Sequence, residues 1–165
     1  MTLGPGTEAA ATTAVGMLIA GGQTVGTAES VTGGLVAAAL TAVPGASAVV
    51  RGGIVAYAAD LKSSLLSVPA DLIERVGTVH PDVALAMASG ARTRLGATVG
   101  VATTGVAGPD PADDQPVGTV HIAVSTSARA IHEALLLSGD RPEIRQNTVD
   151  QLLDLLVRAL MEDIG

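Results

Sequence analysis

The chain of 165 residues has no Cys, Trp or Phe, and it has a single tyrosine, Tyr57. Without cysteine, disulfide bonds, thiolate nucleophiles and zinc–thiolate sites are excluded. Because aromatic residues make up only 1% of the chain, the core must be built from Val, Leu, Ile and Ala. Positive charge is also scarce, since the net charge is −7 and Lys62 is the one lysine. A broad basic surface for nucleic acid is therefore excluded, and an anionic ligand needs a few arginines or backbone amides.

Apolar runs of membrane-spanning length are also missing. Residues 24–43 come near by composition, but Glu29 and two adjacent glycines interrupt them. The N-terminus lacks the basic, apolar and small-residue order of a signal peptide. A hydrophobic content of 48% with 15% charged residues is typical of a compact globular protein. We expect one domain over residues 1–165, a cytoplasmic location, and neither membrane nor nucleic acid as a partner.

Hydrophobic spacing and turn residues predict an alternation of helices and strands that ends in a hairpin. Thr7 is a candidate cap for the first helix. This order favours an α/β fold, a three-layer α/β/α arrangement with a mixed sheet that includes a C-terminal antiparallel hairpin. The predicted helices are 7–22, 35–43, 59–67, 70–76, 81–95 and 141–163, and the predicted strands are 24–28, 53–58, 97–103, 117–125 and 130–137.

Three loops follow the carboxyl ends of predicted strands, and their sequences are ESVTGG, YAADLK and TTGVAGPD. In open α/β sheets the ligand crevice lies outside those ends. The topology therefore predicts that Ser30, Tyr57, Lys62 and Thr104 approach one site.

In the first loop, Ser30 opens a predicted helix, and Gly33 and Gly34 are expected to leave its first-turn amides uncovered. Uncovered amides at a helix start can hold an anion or a developing oxyanion. The alternative is that Ser30 or Thr32 simply caps the helix, which is a common use of these residues.

In the second loop, Tyr57 and Lys62 are five positions apart, which on one helix would place them about 140° out of register. They can converge only if Tyr57 ends the strand and Lys62 lies one turn into the helix. A neutral Lys62 could then take the proton of Ser30, with Tyr57 as a relay or an orienting group. The alternative is that Lys62 is a solvated helix lysine and Tyr57 a packing residue, and that codon bias explains why both residue types are rare in the chain.

The third loop can present backbone amides of Thr104 and Gly105 to a ligand. The loop continues to residue 116 and contains three aspartates. They lack the regular spacing of a divalent-cation site, so a solvated loop is the favoured interpretation. Further on, Arg141 and Arg145 share one face of a helix start and could hold a phosphate, or could pair with neighbouring carboxylates on the surface. The aspartates are Asp110, Asp113 and Asp114.

The three histidines are weaker candidates for chemistry. His80 precedes Pro81 at a predicted helix start and is interpreted as a cap. His121 and His132 alternate within neighbouring predicted strands, so packing or surface display is favoured for both.

Five segments in this order, TAESVTGG, RGGIVAYAADLK, GVATTGVAGPD, PVGTVHIAV and SGDRPEIR, together resemble the CinA C-terminal domain family, the nicotinamide-nucleotide amidohydrolases. The resemblance runs from about residue 10 to residue 160. Two positions depart from the family pattern: Ala58 and Ala59 stand where the family has Ser-Asn after the tyrosine, and His80 stands where it often has serine.

The resemblance implies deamidation of nicotinamide mononucleotide to nicotinate mononucleotide and ammonia, without a cofactor or a metal. It implies that Ser30 is the nucleophile, Lys62 the general base and Tyr57 a supporting hydroxyl. It also implies that Thr104 lies in the loop that shapes the carboxamide pocket and that Arg145 lies near the ligand. Together with the candidates from the loops, the expected substrate-binding residues are Thr32, Gly33, Gly34, Thr104, Gly105, Arg141 and Arg145. A homodimer is expected from family habit and from the prevalence of twofold symmetric oligomers.

Three alternatives stay open from the sequence. The first is a non-catalytic relative that binds a pyridine nucleotide or a protein partner as a sensor or adaptor, which Ala59 favours. The second is an amidase for another carboxamide. The third is a short-chain dehydrogenase, which the spacing of Tyr57 and Lys62 and the lack of a dinucleotide-binding glycine loop disfavour.

Overall fold

The computed structural model of the protein describes residues 4–162, which form six helices around one five-stranded sheet. The sheet order is β2-β1-β3-β4-β5; the first three strands are parallel, and β4 and β5 pair antiparallel. The predicted α/β fold with a mixed sheet and a C-terminal hairpin is confirmed. The strands are Val25–Glu29 (β1), Val50–Val55 (β2), Val99–Gly105 (β3), Thr119–Ser125 (β4) and Ala130–Leu136 (β5), and the helices are Pro5–Ala20 (α1), Leu35–Thr41 (α2), Ala59–Leu66 (α3), Ala70–Val76 (α4), Pro81–Arg94 (α5) and Arg141–Glu162 (α6).

The helices lie in two layers because successive strand residues point to opposite faces of the sheet. On one face, branched residues of β1, β3 and β4 pack against α1, α2 and α6. On the other face, small residues of the same strands pack against α3, α4 and α5. In β3, Val99 and Val101 face the first layer, and Ala102 faces the second.

The small residues allow α5 to approach the sheet closely. A Cβ atom on Gly100 would lie 1.9 Å from the carbonyl oxygen of Ala88 in α5, and one on Gly26 would lie 2.7 Å from Leu95 Cδ1. A larger residue at either glycine would push α5 away from the strands that end at the cavity described below.

Several helices begin where the sequence supplies a starting signal. Pro81 occupies the first turn of α5, and the Nδ1 atom of His80 accepts a hydrogen bond from the Asp82 amide at 3.2 Å, which confirms the predicted cap. At α6, Asp140 and Glu143 each accept a hydrogen bond from the other's backbone amide, at 3.0 and 2.8 Å. This capping box engages both carboxylates.

Some predicted details are wrong. Helix α1 begins at Pro5, so Thr7 does not cap it; Thr7 is buried, and its hydroxyl donates to Asp150 of α6. Strand β2 ends at Val55 and not at residue 58, because after Ala56 donates to the Glu29 carbonyl the chain leaves the sheet. Residue 163 of the last predicted helix lies outside the described residues. None of the helices within residues 4–162 is long and apolar enough to span a bilayer.

Candidate active site

A cavity of about 230 Å³ opens at the edge of the sheet where the three parallel strands end. Strand β1 lies between β2 and β3; the connection from β1 to β2 packs on one face of the sheet, and the connection from β2 to β3 packs on the other. Such a switch point is where open α/β sheets bind ligands. The cavity is lined by Ser30, Val31, Tyr57, Thr78, Val79, Gly105, Val106, Ala107, Gly108, Asp110, Ala112, Asp113 and Arg141.

Ser30 and Lys62 meet at this cavity. Ser30 directly follows β1, and its amide donates to the Thr103 carbonyl of β3 at 3.0 Å. Lys62 lies in the first turn of α3 with 1% of its surface exposed. Its Nζ atom donates to Ser30 Oγ at 3.0 Å and to the carbonyl oxygen of Ala56 at 2.8 Å. The fold thus places the one lysine of the chain on the hydroxyl that the sequence indicated.

The environment of Lys62 favours its neutral form. Burial lowers the pKa of Lys62 from 10.5 to about 8, and the negative charge of Asp113 opposes this shift. The Nζ atom has no carboxylate within ion-pair distance in the described part of the chain. A fraction of the molecules at neutral pH therefore have a free amine that can accept the proton of Ser30.

Glu29 is a buried residue of the site that the sequence reasoning missed. Its side chain is 1% exposed, at the end of β1. Its two carboxylate oxygens accept hydrogen bonds from three amides, those of Gly34, Val36 and Ala37 at 2.8–3.0 Å. The hydroxyls of Thr27 and Thr32 also donate to it, at 3.2 and 2.7 Å. The carboxylate therefore caps α2 and stabilises the turn that contains Ser30.

The expectation that Gly33 and Gly34 leave free amides is wrong. The Gly34 amide is bonded to Glu29, and the Gly33 amide donates to the Ser30 carbonyl at 3.1 Å. Neither Ser30 nor Thr32 caps α2 through its hydroxyl, because the carboxylate of Glu29 occupies that position. Both glycines have positive φ, +60° and +102°, which this tight turn requires.

Thr32 is buried behind the cavity wall. Its hydroxyl lies between the carboxylate of Glu29 and the hydroxyl of Thr103, 2.8 Å from the latter. Within residues 4–162, the amides of Val31 and Thr32 make no hydrogen bond, and Val31 lines the cavity. Of these two amides, that of Val31 belongs to a residue lining the cavity and is the candidate donor to a ligand.

Arg145 lies beneath the same loop. Its Nε atom donates to the Val31 carbonyl at 3.1 Å, and its Nη2 atom donates to the Thr32 carbonyl at 2.9 Å. In a planar trans peptide the carbonyl and the following N–H point in opposite directions. Arg145 therefore fixes the orientation of the Val31–Thr32 and Thr32–Gly33 peptide planes, and it is not among the residues that line the cavity.

Tyr57 and Arg141 form another part of the cavity wall. Tyr57 lies between β2 and α3, as predicted for a strand-to-helix junction, and it is 57% exposed. Its hydroxyl accepts a hydrogen bond from Arg141 Nη2 at 2.7 Å, while Arg141 Nη1 donates to the Gly108 carbonyl at 2.8 Å. Neither Ser30 nor Lys62 is among the hydrogen-bond partners of this hydroxyl within the described chain.

The third loop is joined to residues 77–79 by Asp113. Its carboxylate accepts hydrogen bonds from the Thr78 amide at 2.6 Å and from the Thr78 hydroxyl. The Thr78 carbonyl in turn accepts a hydrogen bond from the Thr104 hydroxyl at 2.8 Å. Thr104 is thus buried behind the wall, and Gly105 lines the cavity.

The three histidines lie near one another, since, in addition to burial, His80 lowers the pKa of both His121 and His132, and none of them lines the cavity. His121 Nδ1 and His132 Nε2 are 2.9 Å apart across β4 and β5. Burial, followed by the neighbouring His132 and His80, lowers the pKa of His121 to about 4. The pair is therefore neutral at pH 7 and can form a hydrogen bond between its two rings. Among residues 4–162 no group of three or more His, Asp or Glu side chains is arranged to hold a metal ion.

The fold and the site define a class of protein: a doubly wound α/β domain with a hydrogen-bonded serine–lysine pair at the strand ends. The model of the CinA C-terminal domain matches residues 7–160. The chain therefore belongs to the CinA C-terminal domain family.

Relatives with sequence similarity support this assignment. A CinA-like protein from Frankia casuarinae is 51% identical over 146 residues, which are 88% of this chain and 34% of that protein. A putative competence-damage inducible protein from Desulforamulus reducens is 44% identical over 139 residues, 84% of this chain and 34% of that protein. The chain thus spans about a third of the length of these relatives.

Solved structures match nearly the whole chain. The competence/damage inducible protein CihA from Agrobacterium tumefaciens matches with a TM-score of 0.92 and 38% identity, covering 97% of this chain and 98% of that one. A CinA superfamily protein from Escherichia coli matches with a TM-score of 0.91 and 31% identity, covering 96% and 94%.

Proposed function

We propose that the protein hydrolyses the carboxamide of nicotinamide mononucleotide to nicotinate mononucleotide and ammonia. The observation that supports this most directly is the buried amine of Lys62, 3.0 Å from Ser30 Oγ and with a pKa of about 8. A serine hydroxyl needs an adjacent base to attack an amide, and a desolvated lysine is one such base. The resemblance to nicotinamide-nucleotide amidohydrolases supports the choice of substrate.

In the first half of the reaction, neutral Lys62 accepts the Ser30 proton as Oγ attacks the carboxamide carbon. The carbonyl oxygen becomes an oxyanion, for which the unpaired amide of Val31 is the candidate donor. An amide that directly follows the nucleophile has this role in other serine hydrolases. Protonated Lys62 then gives its proton to the leaving nitrogen, the C–N bond breaks, and ammonia departs.

In the second half, water hydrolyses the ester on Ser30. Lys62 accepts a proton from the attacking water and returns it to Ser30 Oγ when the C–O bond breaks. The carbonyl of Ala56 accepts a hydrogen bond from Nζ at 2.8 Å and orients the amine through both halves. The products are the free serine and nicotinate mononucleotide.

The remaining cavity residues fit the rest of the nucleotide. Arg141 is the one cation among the residues lining the cavity, and two hydrogen bonds to Tyr57 and Gly108 fix its guanidinium. We assign it the phosphate. Tyr57 then contacts the substrate beside Arg141, and its role as a proton relay stays a prediction, as do the substrate roles of the loop residues.

The test is an assay of the purified protein with nicotinamide mononucleotide, in which ammonia and the acid product are both quantified. Ser30→Ala should lower kcat/KM by about 1,000-fold or more, because the reaction then has no nucleophile. Ser64→Ala is the matched control, since Ser64 is exposed on α3 two residues from Lys62. This control should retain full activity.

Two outcomes would favour the other interpretations. Binding of the nucleotide without any turnover by the wild type would favour a sensor or adaptor. One observation is consistent with that role: α3 begins at Ala59 without a capping side chain. Turnover of a different carboxamide alone would keep the mechanism and change the substrate. The predicted cytoplasmic location and homodimer stay predictions.

A further inference from the structure

We propose that Asp113 makes the cavity selective for a carboxamide attached to a positively charged ring. The inference rests on the proposed function and adds a specificity-determining residue to it. The pyridinium ring of an oxidised nicotinamide nucleotide has this charge, and the ring of the reduced nucleotide does not.

The position of Asp113 supports this role. Its carboxylate lines the same cavity as Ser30, and it lies close enough to Lys62 for each charge to shift the pKa of the other group. The two side chains form no ion pair. A carboxamide placed on Ser30 Oγ therefore has its ring within the field of this carboxylate.

The carboxylate is held in place by its surroundings. Two donors point at it, the amide and the hydroxyl of Thr78. The Thr78 hydrogen bonds are the largest cause that lowers the pKa of Asp113, so the group stays ionised at neutral pH. Asp113 and Asp114 have φ of +52° and +56°, a conformation that is uncommon for residues other than glycine. The contacts to Thr78 stabilise this backbone.

The cavity is lined by side chains of both charges. Asp113 and Asp110 supply the carboxylates, and Arg141, bonded to Tyr57 and to the Gly108 carbonyl, supplies the cation. A nucleotide with a cationic ring and an anionic phosphate can pair its ring with the carboxylates and its phosphate with Arg141. A neutral ring lacks the attraction to the carboxylates, so selection between the oxidised and the reduced ring depends on these two side chains.

The experiment compares the oxidised and reduced forms of nicotinamide mononucleotide, which share the carboxamide and the phosphate. Dissociation constants are measured by calorimetry with Ser30→Ala, so that no turnover occurs, and with Ser30→Ala/Asp113→Asn. We expect the single variant to bind the oxidised form about tenfold more tightly than the reduced form, and the double variant to lose most of that preference. Asparagine keeps an oxygen that can accept from the Thr78 amide.

Asp114→Asn is the matched control in the same background. It removes the same charge from the neighbouring residue, which has the same backbone conformation but does not line the cavity. We expect it to leave the preference unchanged. An equal loss in both variants, or a preference unchanged by Asp113→Asn, would overturn the proposal.

Salt provides a test that needs no substitution at Asp113. Added NaCl screens the ring–carboxylate attraction only for the oxidised form, whereas it weakens the phosphate contact for both forms. The preference of Ser30→Ala should therefore shrink as salt is raised, and a constant ratio would contradict the inference. If the wild type hydrolyses no nucleotide but Ser30→Ala shows the predicted preference, the proposed reaction fails and the selective site stands. If neither form binds, both fail.

Discussion

The two loops that contribute Ser30 and Asp113 to the cavity are built in different ways. The Ser30 loop is fixed from below by buried charge: Glu29 accepts five hydrogen bonds there, and Arg145 donates two. The loop with Asp113 is exposed, and residues 77–79 hold it through a single carboxylate. In the proposed reaction, the nucleophile therefore lies on the loop with more buried hydrogen bonds, and the proposed recognition charge lies on the exposed loop.

The strongest test of the Ser30 side of the cavity is Lys62→Met, which keeps the buried stem and removes the amine. We expect kcat/KM to fall by about 1,000-fold or more, because Ser30 then has no base. In the wild type, kcat/KM should rise about tenfold per pH unit below pH 8 and level off above it, since the reactive amine is neutral. A wild-type profile that is flat between pH 6 and about 8 would contradict this assignment of the base.

The same variant should show by how much burial of the Lys62 amine lowers the free energy of unfolding. The folded chain holds the pKa of Lys62 at about 8, below its usual 10.5, so the unfolded chain binds more protons between these values. The free energy of unfolding of the wild type should therefore rise with pH across that window, by about 3 kcal/mol relative to Lys62→Met. Below pH 8 the buried amine destabilises the folded protein by this full amount. Urea unfolding at several pH values measures the difference, and parallel pH curves for the two proteins would show that the amine is not desolvated.

The second test is Glu29→Gln, which removes the charge that caps α2. A glutamine side chain presents an N–H₂ group to some of the five donors that now point at a carboxylate. We expect the free energy of unfolding to fall by about 2–4 kcal/mol, as measured by urea unfolding. Glu133→Gln is the control, because Glu133 pairs with Arg158 at the surface and should contribute less than about 1 kcal/mol. An equal decrease in the free energy of unfolding for the two variants would contradict the prediction that the buried carboxylate contributes more than the exposed one.

Most of the fold could be predicted from the sequence because glycine and proline separate many of its apolar segments, as at Gly21–Gly22 and Pro44–Gly45. The sequence also predicted that three loops meet at one edge, since this follows from parallel strand order. Boundaries were less accurate where tertiary contacts decide them, as at β2, which stops once Ala56 has bonded to Glu29. The convergence of Ser30 and Lys62 followed from topology, but the burial of Lys62 depends on how α3 packs.

The parts of the site that could not be predicted are contacts between distant segments. Tyr57 and Arg141 are 84 positions apart, and Thr78 and Asp113 are 35 apart, so spacing gives no indication of either pair. Glu29 had a weak signal, an acidic residue at the end of an apolar strand just before a helix start. It was missed because capping was sought in hydroxyl side chains, whereas this carboxylate reaches amides five to eight positions ahead.

The smallest effect we predict is at Arg145, which the sequence assigned to the substrate and the structure places beneath the Ser30 loop. Arg145→Met should lower kcat by about tenfold and change KM for nicotinamide mononucleotide little, because the peptide planes after Ser30 lose their orientation. Arg158→Met is the control on the same helix; its guanidinium is exposed and should leave kcat unchanged. The decisive comparison uses nicotinamide riboside, which lacks the phosphate. If Arg145 positions the loop, kcat of the variant falls by the same factor with the riboside and with the nucleotide. A loss confined to the nucleotide, seen mainly in KM, would instead place the guanidinium on the phosphate and make both sides of the cavity parts of substrate recognition.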